Sequence, residues 1–203
     1  MRLIGMLDSP YVRRVAVSLE FMGIPFTHEA VSVFRHYDAF AAINPVVKAP
    51  SLVLDDGTVL MDSTLMLEYL EPLAPPRRRL MPQAPADRAR ALRVTGLALA
   101  ACEKSVQIVY ENLRPTDRRD QSWLDRVHRQ LLAAYRLLES ECALGRDWFN
   151  GAPVQQSHIT SAVTWGFTQL ALPGTIGAAE HPALNALAAR AEALPQFRAA
   201  PVD

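Results

Sequence analysis

Cysteine is nearly missing from this chain. The only two among 203 residues, Cys102 and Cys142, stand far apart, and neither has a second cysteine or a histidine at metal-ligand spacing. No disulfide framework is expected, and both read as small buried hydrophobes. An excess of one charge is missing too. Lys and Arg total 21, as do Asp and Glu, so no net field draws a nucleic acid or an anionic membrane. Long apolar runs are absent: Val94 to Cys102 is too short to span a bilayer, and Asp8 and Pro10 break the apolar start before it could act as a signal peptide. The histidines, His28, His36, His128, His158 and His181, are too scattered for a metal site. These absences point to a soluble protein of a reducing compartment, most simply cytoplasmic, with no metal, nucleic-acid or membrane partner.

What is there is a globular composition, half apolar and 21% charged, long enough for one large domain or two small ones. Leu3 to Leu7 reads as a buried strand that ends at Asp8. Pro10 then stands where a helix can begin, Val12, Val15, Ala16, Leu19 and Met22 follow at helical spacing, and Gly23 supplies the stop. Phe26 to Val33 is extended by composition. Ser51 to Leu54 and Val59 to Met61 flank Asp55-Asp56-Gly57 as a hairpin, and Asp62 to Leu73 reads as a helix capped by Asp62 or Ser63. Five prolines between Pro72 and Pro85, with Arg77-Arg78-Arg79 among them, cannot continue that helix and have little to bury.

Beyond the prolines the pattern is helical: Ala86 to Leu113, then Trp123 to Cys142, then Ile159 to Leu170 at three- and four-residue steps. The expected organisation is an α/β domain over 1–74, a linker over 75–86 and an all-α helical domain over 87–203.

Three short stretches could carry chemistry. Ser9 precedes a helix whose first N–H groups are unpaired and whose N-terminus favours an anion such as a thiolate. A serine hydroxyl there can cap the helix, donate outward, or do both. No Gly-x-Ser-x-Gly elbow surrounds it, which weakens a nucleophilic role. Pro50, in Asn44-Pro45-Val46-Val47-Lys48-Ala49-Pro50, opens a strand and is either an edge cap or a cis residue that turns the Ala49 backbone toward an extended ligand. Asp62-Ser63 begins the next helix, where the N–H groups and the Ser63 hydroxyl suit a carboxylate and Asp62 suits an ammonium, or where both simply cap.

Taken in order, these stretches resemble the glutathione transferase family, in its bacterial serine-type form, over nearly the whole chain. Ser9-Pro10-Tyr11-Val12-Arg13-Arg14-Val15 is similar to the family's Ser-Pro-aromatic-x-Arg-Lys/Arg stretch, Asn44-Pro45 through Pro50 to its Asn-Pro-x-x-Lys-x-Pro loop, and Asp62-Ser63 to its acidic-Ser pair. The resemblance implies a thioredoxin-like first domain followed by the all-α domain. It also implies that Pro50 is cis, that Ser9 faces the sulfur of glutathione, and that Ala49 pairs through its backbone with the cysteinyl unit. Lys48 would meet the glycyl carboxylate, while Asp62 and Ser63 would hold the γ-glutamyl end. Tyr11, Ser105, Tyr110 and Trp165 would border a pocket for a small hydrophobic electrophile between the domains. Glutathione is then the co-substrate, conjugation the reaction, and a homodimer the assembly, the last also suggested by the apolar helix Val94 to Val109.

Departures from the family narrow this expectation. Glutaredoxin-like and omega-type relatives carry cysteine where Ser9 stands, tyrosine-type classes carry a tyrosine near Met6 and Leu7, and zeta-type isomerases a Ser-Ser-Cys start. The helical domain's usual Thr-x-x-Asp capping box is missing from Gln155-Gln156-Ser157-His158, so a weaker cap is expected, helped by Val154 stapling onto Ile159. Peroxide reduction, isomerisation, and a non-catalytic binding module are the alternative functions.

Overall fold

The computed structural model of the protein describes residues 1–144 and 153–202, so residues 145–152 and 203 of the expected helical domain lie outside the described residues. Leu3, Ile4 and Leu52 have no exposed surface, and they lie on the two central strands of a four-stranded sheet. Its strands are β1 (Arg2–Ile4), β2 (Thr27–Glu29), β3 (Ser51–Val53) and β4 (Val59–Met61), in the order β2-β1-β3-β4. β1 runs parallel to β2, with Leu3 opposite His28, and antiparallel to β3, with Leu3 opposite Leu52. β3 and β4 form the expected hairpin. β1 stops sooner than the apolar run to Leu7 suggests, because Gly5 leaves strand geometry at φ 138°.

Helix α1 (Pro10–Met22) starts on its proline and ends at Gly23, which takes φ 67° and donates its N–H to the Glu20 carbonyl. Helix α2 (Tyr37–Ile43) was not expected: Phe40 is its only buried residue, and one apolar contact produces no periodic signal. Helix α3 (Ser63–Leu70) passes into a single 3₁₀ turn at Glu71–Leu73. It is thus shorter than the expected Asp62 to Leu73, as Pro72 lacks the N–H that would extend it. α1 packs on α3 and on β1, and α3 packs on β4.

The proline-rich stretch is not a bare linker. Ala74 and Leu80 are buried, and the Glu71 carboxylate accepts the N–H groups of Leu80 (3.1 Å) and Met81 (2.9 Å), tying the stretch back on itself. The first compact unit accordingly comprises Met1–Met81 together with Ala193–Asp203, and the second Pro82–Glu192. The C-terminal residues, read from sequence as part of the helical domain, therefore belong to the first unit. Helix α8 (Pro195–Arg198) explains why: Phe197 is fully buried, meets Phe21 edge-on at 6.3 Å, and lies under the Arg13 guanidinium, 5.6 Å from its ring centroid. Arg13 Nε also donates to the Ala200 carbonyl at 2.9 Å.

The second unit contains helices α4 (Pro85–Asn112), α5 (Gln121–Leu144), α6 (Gln156–Ala171) and α7 (Pro182–Glu192). α4 packs on α5 and α6, and α7 on both α5 and α6. Tyr135 sits at the centre, with Trp165 and His181 edge-on to it at 5.6 and 5.9 Å. Cys102 and Cys142 are buried as expected, and burial, with Glu139 and Glu141 nearby, pushes the Cys142 thiol up to about 12. Among the described residues no helix is long and apolar enough to cross a membrane.

The cap of α6 corrects the expectation of a missing box. Gln155 and His158 form a reciprocal capping arrangement, in which the Gln155 N–H donates to His158 Nδ1 at 3.2 Å. Accepting at Nδ1 requires a neutral ring with its proton on Nε2. Burial supports that form, lowering His158 from 6.5 to about 4. Between those values the unfolded chain binds the proton that the folded chain refuses, so stability falls as pH drops through the window. The cap contributes fully above about pH 6.5, and the loss toward pH 4 is at most about 1.4 kcal/mol per pH unit. Replacing His158→Gln keeps a side-chain acceptor that does not titrate. Urea unfolding of that variant at pH 7 and pH 5 should therefore show a smaller drop than wild type, and equal drops would remove His158 as the source.

Candidate functional site

The start of α1 is the first candidate. Ser9 occupies the N-cap position at φ −73° and ψ 120°, and its backbone carbonyl accepts from the Arg13 N–H at 2.9 Å. Its hydroxyl, however, makes no capping bond. The capping reading of that side chain is thus not what the structure has, and the half-buried hydroxyl remains available as a donor. Tyr11, next but one, is half-buried in the first turn.

The second candidate is the loop from Asn44 to Pro50. Asn44 is 3% exposed, and it accepts the Val46 N–H at 3.1 Å while donating to Ser51 Oγ at 2.9 Å. Ser51 Oγ in turn donates to the Lys48 carbonyl at 2.9 Å. Two buried side chains thereby close the loop from within and leave Lys48 exposed, Ala49 half-buried and Pro50 buried. The Ala49–Pro50 peptide is cis, as the family resemblance implies. The role of Ser51 was not legible, because a serine at the start of a strand carries no signal that it will fold back onto a carbonyl three residues earlier.

Asp62 and Ser63 form the third. Asp62 stands at φ 72° and ψ 117°, a region costing a non-glycine residue about 1–3 kcal/mol. Its Oδ1 offsets that cost by accepting from the N–H groups of Thr64 (2.8 Å) and Leu65 (3.4 Å). The other oxygen, Oδ2, lies 4.0 Å from Lys48 Nζ, and both side chains are about half exposed, so the pair itself contributes little to stability. Lys48 and Asp62, expected at opposite ends of a ligand, are brought together. Ser63 is 5% exposed, with Arg14 beside it.

Gly5 joins these pieces, and the sequence reading gave it no role. Its N–H donates to the Glu29 carbonyl at 3.0 Å, and its carbonyl pairs with His28 Nε2 at 2.7 Å. A Cβ there would stand 2.6 Å from Val12 Cγ2 on α1 and 3.3 Å from the Ala49 Cβ. The helix that Ser9 precedes and the loop that holds Ala49 can meet only over a residue without a side chain.

The residues expected to line an electrophile pocket divide. Tyr110 is 49% exposed, but Ser105 and Trp165 belong to the core of the second unit. Ser105 Oγ shares a 2.7 Å hydrogen bond with Thr168 Oγ1, which also accepts from the Tyr135 hydroxyl at 2.6 Å. Trp165 Nε1 donates to Asn185 Oδ1 at 3.3 Å. The resemblance sets Ser105 and Trp165 at the border of a pocket, whereas both side chains are packed inside the second unit. Among the described residues no three His, Cys, Asp or Glu side chains gather as a metal site.

Gly5→Ala is expected to cost about 2–4 kcal/mol, since it adds a clash to a conformation that favours glycine. Gly57, at φ 87° with nothing within 4 Å of its position for a Cβ, is the control. Gly57→Ala should cost about 1 kcal/mol, the conformational part alone. Urea midpoints compare the two, and equal losses would show that contact with Val12 and Ala49 is not limiting.

Residues 3–78 match the glutathione S-transferase N-terminal domain family. Among curated proteins, glutathione S-transferase U6 of Arabidopsis thaliana is 26% identical over 153 residues, covering 75% of this chain and 65% of that protein. The chain thus spans a little under two thirds of that relative's length. A glutathione S-transferase of Methylobacterium radiotolerans, solved in complex with glutathione sulfonate, superposes with a TM-score of 0.87 at 29% identity, covering 98% of this chain and 93% of the other. A glutathione transferase family member of Pseudomonas fluorescens Pf-5, solved with bound glutathione, gives 0.86 at 28%, covering 100% and 98%. With its thioredoxin-like sheet, its helical second unit and these likenesses, the chain carries a glutathione S-transferase N-terminal domain over residues 3–78 and has the glutathione transferase fold.

Proposed function

We propose that the chain is a glutathione transferase that stabilises the thiolate of glutathione and conjugates it to a small hydrophobic electrophile. The observation that carries this reading is the Ser9 hydroxyl, set at the N-terminus of α1 and not used to cap it. A free thiol titrates near 8.5, and lowering it by about two units takes roughly 2.7 kcal/mol of preference for the thiolate. One hydroxyl donor together with the positive end of a helix is of that size. Ser9 donates a hydrogen bond and is not itself the base. The thiolate forms the new carbon–sulfur bond, and the electron pair displaced from the electrophile leaves with the departing group or moves onto an electron-withdrawing substituent.

In this reading Ala49 pairs through its backbone with the cysteinyl unit, Asp62 and Ser63 hold the γ-glutamyl end, and the exposed Lys48 exchanges its 4.0 Å approach to Asp62 for the glycyl carboxylate. The glutathione-bound relative from Pseudomonas supports the choice of ligand. Peroxide reduction and isomerisation would start from the same thiolate, and a binding module would stop before it. A homodimer goes with the family reading, and a monomer in sedimentation at micromolar concentration would count against it.

Because Ser9 makes no cap bond, Ser9→Ala should change stability by less than about 0.5 kcal/mol. The pKa of bound glutathione, read from thiolate absorbance against pH, should nevertheless rise toward the free value. An unchanged pKa in the folded variant would transfer the role to the backbone N–H groups of α1. For Asp62 the informative change is Asp62→Asn, since asparagine keeps the cap and tolerates positive φ while losing the charge. It should raise the Kd for glutathione and leave the rate at saturation nearly unchanged, as expected for a contact remote from sulfur. An unaltered Kd by calorimetry would remove Asp62 from the site.

A further inference from the structure

Arg14 lies in the middle of α1 yet is only 2% exposed, and its side chain reaches the start of α3. Nη1 donates to Ser63 Oγ at 3.1 Å and to Thr64 Oγ1 at 3.2 Å. A guanidinium has five donors, no acceptor, and a charge that it keeps at any working pH. Toward Arg14, therefore, both hydroxyl oxygens can only accept. Their own hydrogens must point elsewhere, and the charge behind each oxygen strengthens it as a donor. Asp62 Oδ1 meanwhile occupies the N–H groups of Thr64 and Leu65. Ser63 and Thr64 are thus left with hydroxyl hydrogens directed away from the protein's own cation.

We infer that Arg14 is a positioning residue: by donating to Ser63 and Thr64 it turns both hydroxyls outward as a pair of donors for the α-carboxylate of the γ-glutamyl group. The inference rests on the glutathione reading above and adds to it a buried residue that acts through two others without touching the ligand. A merely structural Arg14, holding α1 against α3, would weaken every ligand of the site alike. A positioning Arg14 weakens only ligands that carry the carboxylate.

The test compares glutathione with γ-aminobutyryl-cysteinylglycine, which lacks that carboxylate alone, by calorimetry on the full chain. Arg14→Gln should raise the Kd for glutathione about tenfold, the scale of one hydrogen bond to a charged group, with kcat at saturation within about twofold of wild type. For the analogue, wild type and variant should differ by less than about twofold. Arg14→Lys, which restores a donor-only cation, should recover part of the glutathione affinity. If Arg14→Gln does not fold, Arg14→Lys combined with Ser63→Ala decides: the double variant should lose less than the product of the two single losses. Equal losses for both ligands, or fully multiplicative losses in the double variant, would overturn the role of Arg14 while leaving glutathione binding by the wild type in place. A wild type that binds no glutathione would overturn the glutathione reading, and this inference with it.

Discussion

The contact on which the rest of the first unit depends is made at Gly5. β1 ends there, the residue bonds to β2 through Glu29 and His28, and the space a side chain would fill is taken by Val12 and Ala49. Strand, helix and proline loop converge on one position, so the start of α1 and the loop before β3 are set relative to each other by close packing. Such packing is rigid, because a displacement of a few tenths of an ångström on either side meets repulsion. A site that must place a hydroxyl and a backbone edge on the same small ligand benefits from that rigidity.

The start of α3 follows a different physical logic. Asp62 holds an unfavourable backbone conformation because its side chain caps the helix it introduces, and Ser63 and Thr64 take their hydroxyl orientation from a buried guanidinium. Both arrangements are polar and directional. Each leaves a group facing outward: one carboxylate oxygen of Asp62 and the hydroxyl hydrogens of its two neighbours. A zwitterionic group such as the γ-glutamyl end needs one acceptor and at least one donor at close range.

The second unit is organised around buried hydroxyls and aromatic rings rather than an apolar core alone. Tyr135, Thr168 and Ser105 form a bonded cluster, and Glu139 accepts the N–H groups of Ala183 and Leu184 at 2.8 Å each, capping α7 from α5. His158 does the corresponding work for α6 as a neutral acceptor. Such polar contacts constrain which faces of the helices meet, since a buried donor left unmatched costs about 1–3 kcal/mol.

The sequence by itself determined the order of most elements, the change from α/β to helical text, and the motif residues of the candidate site. Those features depend on local spacing and on residues with unusual backbone preferences, such as Pro10, Gly23 and Asp55-Asp56-Gly57. Tertiary structure decided the rest. It placed Ser105 and Trp165 in a core rather than at a surface, returned residues 193–203 to the first unit through Phe197, folded the proline stretch onto Glu71, and let His158 complete a cap that its residue type did not announce. It also gave Gly5 and Arg14 their partners. The reason is the same throughout: a period of 3.6 or 2 reports that a residue has a buried side, whereas what lies against that side is set by chain segments tens of residues away.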